Sequence, residues 1–151
     1  MIVIRLAGEA DVPALADLRR ESTFELHPTS QDEGFGERFA SWYKQEASRR
    51  LTWLAQDEGP AVGMMNLVVF ERMPRPGPDP GRWGYLANAY VTPGYRNQGI
   101  GGRLVNAILA YADDRGFARV VLSPSQRAIP FYRRAGFGPA DALLLRERPA
   151  G

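Results

Sequence analysis

The stretch that most constrains this chain is residues 91–103, Val-Thr-Pro-Gly-Tyr-Arg-Asn-Gln-Gly-Ile-Gly-Gly-Arg, where a strand stops, the backbone turns and a helix begins. Residues 85–91 form an apolar, β-favouring run, and Pro93-Gly94 breaks it. Ile100, Leu104, Val105, Ile108, Leu109 and Ala112 then recur at helical spacing. Glycines therefore sit where a helix starts. Without Cβ atoms at Gly99 and Gly101 a ligand can approach the backbone, and the unpaired first-turn N–H groups together with the helix dipole favour an anion there. Arg96 adds positive charge. A tight turn with close helix packing would also use such glycines, but a diphosphate cradle uses all of these features together.

Two familiar phosphate loops do not fit. A Walker loop needs Gly-Lys-Ser/Thr, and the only lysine is Lys44. A dinucleotide fingerprint needs Gly-x-Gly-x-x-Gly with an acid about 20 residues further on. Arg96-x-x-Gly99-x-Gly101, after a strand ending Val91-x-Pro93, instead resembles the acyl-coenzyme A pyrophosphate loop of the GNAT N-acetyltransferase superfamily. Downstream, Ala128-Ile129-Pro130-Phe131-Tyr132-Arg133-Arg134-Ala135-Gly136-Phe137 is similar to that superfamily's Ala-x-x-Phe-Tyr-x-x-x-Gly-Phe block.

With 151 residues and 44% hydrophobic content, the chain is expected to form one domain over 1–151 with a full core. Net charge is only +2, yet residues 1–90 sum to −3 and residues 91–151 to +5. The basic half holds the proposed cradle and suits a polyanionic cofactor, while the acidic half suits a cationic amine. The chain has no cysteine, so disulfides, thiolate catalysis and cysteine-based metal sites are excluded. The lone His27 has no Gly-x-Ser-x-Gly elbow to work with and is read as a surface or pocket residue, and no metal site is expected. No signal-peptide core or run of about 18 apolar residues is present, so a cytoplasmic location is expected.

Taken in order, Ile2–Leu6 reads as a strand. A first helix follows, capped by Asp11, with Pro13 in its first turn and Leu15, Ala16 and Leu18 inward, ending over 21–24. Ser30 or Asp32 is expected to cap a second helix whose stripe of Phe35, Phe39, Trp42 and Tyr43 reads as core, with a pocket lining as the alternative. Residues 51–56 and 61–70 form an antiparallel hairpin around Asp57-Glu58-Gly59-Pro60. Residues 71–84, with prolines at 74, 76, 78 and 80, read as a stiff exposed loop, either a plain connection or a flap carrying Trp83. The central strand and helix end at Gly116, a strand over 118–122 completes a right-handed βαβ unit, a helix starts near Ser125 to Arg127 and ends at Gly136, and 141–146 reads as a last strand. Pro93 and Pro124 end the two parallel strands and open a cleft between them.

The resemblance implies an α/β GNAT acyltransferase fold, a mixed central sheet of six to seven strands flanked by about four helices, with a splayed parallel strand pair. It implies acetyl-CoA as co-substrate, held by Ala89, Tyr90, Val91, Arg96, Asn97, Gln98, Gly99, Ile100, Gly101, Gly102, Ser125 and Tyr132. The Ala89 carbonyl and Val91 N–H would pair with pantetheine, at a bulge marked by Asn88. Val91 N–H would also serve the thioester oxyanion, and Tyr132 would protonate the departing thiolate. Ser125 stands where relatives often carry asparagine. The superfamily's strand glutamate is absent, its position being Tyr85, which leaves Glu21, Glu25, His27, Glu33 and Glu71 as unassigned candidates for the base. The implied activity is direct acetyl transfer to a primary amine of a small molecule or protein, without nucleic acid or membrane, with a homodimer left open. The alternatives are a non-catalytic acyl-coenzyme A-binding regulatory domain and a nucleic-acid-binding module. The module is disfavoured by the near-zero net charge.

Overall fold

The computed structural model describes residues 1–78 and 81–150. Its centre is β3 (Ala61–Glu71), whose residues 62–68 are buried without interruption. A run apolar on both faces needs cover on both, and it has it. Met65 and Leu67 pack with Leu104, Val105 and Ile108 of α3 (Ile100–Asp114). Met64 packs with Leu15 and Leu18 of α1 (Val12–Leu26) on the opposite side. β1 (Ile2–Leu6), β2 (Arg50–Asp57), β3 and β4 (Arg82–Val91) form antiparallel neighbours, and β5 (Val120–Val121) joins β4 in parallel. Helix α2 (Phe35–Glu46) lies against α1, and α4 (Ile129–Arg134) follows β5.

The sheet has five strands among the described residues, not six to seven. The expected strand over 118–122 contracts to Val120–Val121, in register with Gly84 and Tyr85, although Ala118 N–H still donates to Arg82 O and Arg119 O accepts from Gly84 N–H. The expected strand over 141–146 does not form: Leu144 is 99% exposed and the only backbone bond there among the described residues is a turn from Leu143 N–H to Ala140 O. A ladder needs a neighbour's open edge over several residues, and β5 is too short to supply one. β4 and β5 pair in parallel, as expected.

Cap chemistry also differs. Asp11 makes no side-chain bond to α1. Its carboxylate accepts Gly8 N–H at 2.8 Å and the Arg5 guanidinium at 2.8 and 2.9 Å, closing the 3₁₀ turn before the helix. The helix runs on to Leu26. Gly34, not Ser30 or Asp32, is the N-cap of α2, and the Asp32 carboxylate pairs with Arg38 instead. The β3–β4 ladder continues to Glu71↔Arg82, so Trp83 belongs to the strand. It stacks on Phe70 with centroids 4.3 Å apart and is not part of a flap. Pro80, with Asp79, lies outside the described residues.

Gly116 and Gly136 end α3 and α4 as expected, both at positive φ. In each case the following phenylalanine N–H reaches back to a carbonyl of the last turn, Phe117 to Ala112 and Phe137 to Tyr132.

Candidate active site

At the end of β4, two residues oppose one. Met64 pairs with Tyr90 and Asn66 with Ala87, so Asn88 and Ala89 face Met65 alone. Asn88 takes φ 56°, as the expected bulge requires. Beyond it, Thr92 N–H donates to Val62 O at 2.9 Å, which makes the intervening Gly63↔Val91 pair non-hydrogen-bonded. Both the N–H and the C=O of Val91 therefore point away from β3, toward the side on which β5 has already ended. The carbonyl accepts Arg96 Nε at 2.8 Å, and the N–H faces the gap.

A cleft of about 640 Å³ opens here. Its walls bring together Ala89, Tyr90, Val91, Arg96, Asn97, Gly99, Ile100, Gly101 and Gly102, nine of the twelve residues expected from the sequence, with Met65 as floor and Ala128, Phe131 and Arg134 opposite. Gly99 is the N-cap of α3 at φ 80°. The first helical bond is Arg103 N–H to Gly99 O, so the N–H groups of Ile100, Gly101 and Gly102 ahead of it are left open. A Cβ at Gly99 would meet nothing within 4 Å, whereas one at Gly101 would lie 3.3 Å from Phe131 Cζ.

Three expected residues lie elsewhere. Gln98 is exposed and donates to Gly94 O, and Ser125 is exposed at the start of a 3₁₀ turn. Tyr132 is 8% exposed and lines a separate cavity of about 310 Å³ with Val120, Val121, Leu122 and Pro124. Its ring meets Phe131 at 4.9 Å and Phe137 at 5.8 Å, both edge-on. Burial pushes its phenol above the ordinary range, so it stays protonated at neutral pH.

Arg96 is not a free charge over the cradle. Its Nη2 makes a forked contact with Glu25 at 2.7 and 3.0 Å and its guanidinium lies over the Tyr90 ring. The Tyr90 hydroxyl donates to Glu25 at 2.6 Å and lies 3.1 Å from Glu21 Oε1. Tyr90 is raised, first by burial and then by these carboxylates, and Glu25 is held low, first by the Tyr90 hydroxyl and then by Arg96. Of the candidates for the base, Glu21 and Glu25 thus stand beside β4. Glu71 pairs with Arg82 at the far end of the same ladder, and His27 and Glu33 are exposed.

On the other face of the sheet lies a second cavity, of about 350 Å³. Phe35, Phe39, Trp42 and Tyr43 line it, so the α2 stripe faces a pocket, although Phe39 and Tyr43 also pack on the Leu15–Leu18 cluster. Its floor holds Thr52, Asn66 and Asn88. Buried Asn66 donates to Asn88 at 3.1 Å and accepts from Arg50 at 2.8 Å. Sequence reasoning missed this floor and Arg134. The signals were a polar residue inside the apolar β3 run and the arginine pair after Tyr132.

Residues 12–137 match the Acetyltransferase (GNAT) family, and the chain belongs to it. Curated relatives include a glucosamine 6-phosphate N-acetyltransferase of Trypanosoma brucei brucei, 29% identical over 82 residues, 54% of either chain. Another is the thialysine N-epsilon-acetyltransferase of Bos taurus, 31% identical over 107 residues, 69% of this chain and 59% of that protein. The chain thus spans little more than half the length of these relatives. A predicted acetyltransferase of Clostridium acetobutylicum solved with acetyl-CoA superposes with a TM-score of 0.77 at 19% identity, covering 97% of this chain and 96% of the other, a likeness of fold. No helix among the described residues is long and apolar enough to cross a membrane, and no cluster of His, Cys, Asp or Glu among them suits a metal.

Proposed function

We propose that this chain, as one domain over 1–151, is an N-acetyltransferase that moves the acetyl group of acetyl-CoA directly to a primary amine. The observation that carries the reading is the outward-facing backbone of Val91 in the same cleft as the open N–H groups at the start of α3. The fit is chemical. Open N–H groups at a helix N-terminus suit a pyrophosphate, and an outward-facing edge at the β4 bulge suits an amide-bearing pantetheine that adds like a strand.

In this reading the N–H groups of Ile100, Gly101 and Gly102 hold phosphate oxygens, with Arg134 supplying charge from the opposite wall. Arg96, pinned by Glu25, fixes the loop. The Ala89 carbonyl and Val91 N–H pair with the pantetheine arm, and Val91 N–H receives the carbonyl oxygen as charge develops on it, an interaction worth about 10²–10³ in rate. The amine attacks the acetyl carbon and the carbon–sulfur bond breaks. Glu21, beside Tyr90 and without an arginine partner among the described residues, takes the proton from the amine directly or through water, and Tyr132 gives one to the thiolate. Glucosamine 6-phosphate and thialysine, named for the relatives, are small amines, and we take the acceptor here to be a small molecule too.

The test is acetyl-CoA binding by thermal shift together with thiol release across an amine panel. Binding with turnover supports the reading. Binding without turnover returns the regulatory-domain alternative, and absence of any shift at saturating acetyl-CoA refutes the site.

A further inference from the structure

The cavity on the α2 face carries information about the acceptor that the charge of the chain's halves does not. An acidic N-terminal half suits a cationic amine, yet no carboxylate among the described residues lines this cavity. Glu21 and Glu25 are engaged with Tyr90 and Arg96, and Glu46 with Arg49 and Arg50. The charged groups that do line it are Arg19 and Arg38.

The aromatic walls could in principle hold an ammonium by its attraction to ring faces. Two of the four rings, Phe35 and Trp42, already carry a guanidinium. Arg20 and Arg38 lie over Phe35 at 5.2 and 5.5 Å, and Arg50 lies over Trp42 at 5.0 Å. A further cation at either of these rings would meet the guanidiniums already there.

Arg19 has no ion pair or side-chain hydrogen bond among the described residues. It stands with Phe35 and Arg38 on the boundary between this cavity and a neighbouring one of about 440 Å³. Arg38 lies over Phe35 and pairs with Asp32 in an exposed contact, an arrangement that contributes little and is easily shared. At the opposite end, Asn88 lines the cavity while Ala89, the next residue, lines the cleft on the other face, so the inner end abuts the β4 bulge.

We infer that the acceptor is an amine on an apolar or aromatic body that carries a carboxylate or phosphate, with the anionic group at Arg19 and Arg38 and the amine directed past Asn88 toward β4. This rests on the acetyltransferase reading and specifies its substrate class. The inner end offers amide and hydroxyl groups, from Asn88, Asn66 and Thr52, to orient a neutral amine, which is the form that attacks. The aromatic side chains cover the body, and the arginines select the acid by charge-assisted bonds.

Matched pairs test it: phenylalanine against phenethylamine, and glucosamine 6-phosphate against glucosamine, with spermidine as the polycation, all followed by thiol release with acetyl-CoA. The acid-bearing member of at least one pair should have kcat/KM higher by about tenfold or more. The phenylalanine and sugar phosphate arms separate carboxylate from phosphate as the group recognised. In Arg19→Gln the ratio within that pair should collapse toward one, mainly through KM, and Arg19→Lys should restore part of it. Equal or better use of the neutral members, a preference for spermidine, or a ratio that survives both Arg19→Gln and Arg38→Gln would overturn the inference. Acetyl-CoA binding with no thiol release from any acceptor also overturns it and leaves the cofactor site standing. Absence of acetyl-CoA binding removes both.

Discussion

Replacing Gly99 separates two roles that the sequence superimposes, a backbone conformation and an approach path. At φ 80° and ψ 4° it lies in the left-handed region, and a Cβ there would touch nothing within 4 Å. Packing therefore costs nothing and the whole penalty of Gly99→Ala is conformational, about 1–2 kcal/mol. For a chain of this size each kcal/mol lowers Tm by about 2–4 °C, so a loss of about 2–8 °C is expected. Gly99→Asn should lose less, because asparagine tolerates this region better. Binding is expected to follow the other order. Either side chain stands at the rim of the cleft, and the larger one should weaken acetyl-CoA more. The assay is thermal melting and calorimetric titration with acetyl-CoA for both variants. Equal Tm losses for alanine and asparagine would refute the backbone origin, and wild-type affinity in both would show that nothing approaches Gly99.

Gly101→Val places its Cβ 3.3 Å from Phe131 Cζ before the branch atoms are added, so both stability and acetyl-CoA affinity should fall, by about 1–3 kcal/mol for the former; a melt and titration check this. Tyr132→Phe keeps the ring contacts with Phe131 and Phe137, so melting should change little while kcat falls about 10²–10⁴-fold where proton donation limits the rate. Unaltered kcat at every pH, with chemistry rate-limiting, would remove Tyr132 as the acid. Asp11, Glu25 and Glu46 are all held below the usual carboxylate range by their arginine and hydrogen-bonding partners. Their contribution to stability is complete above the unfolded values near pH 4 and is lost as pH falls through the depressed folded ones. Tm should therefore be flat from about pH 6 to 8 and drop below about pH 4.5, and Asp11→Asn or Glu46→Gln should reduce that drop.

The β4–α3 junction was legible because its signals are local: a proline, glycines and a 3.6-residue apolar period fix a turn whatever surrounds it. The bulge at Asn88 and the caps at Gly116 and Gly136 belong to the same class. The α2 stripe was harder. Periodicity says which face of a helix is apolar, not whether the neighbouring element fills the space against it, and α1 with β3 leaves a cavity beside Phe35 and Trp42. Arg96 lines the cleft, but its partner Glu25 is 71 residues away, and no local pattern announces such a pair. The extra strand over 141–146 failed for the converse reason: an apolar run becomes a strand only where an edge is available.

The downstream motif illustrates how local rules and the site coincide. Gly136 supplies the left-handed residue that ends α4, which lets Phe137 N–H bond to the Tyr132 carbonyl at 3.1 Å. The same geometry carries the Phe137 ring to the Tyr132 ring, while Phe131 meets it on another side and also abuts Gly101. The Gly-Phe pair is thus the cap that fixes the tyrosine, and the tyrosine's neighbour reaches the glycine-rich turn. A helix of six residues is too short to hold a side chain in place by its own backbone bonds. Its position is set instead by a cap and two aromatic edges, which is why the two motifs, about 30 residues apart in sequence, act as one packed unit.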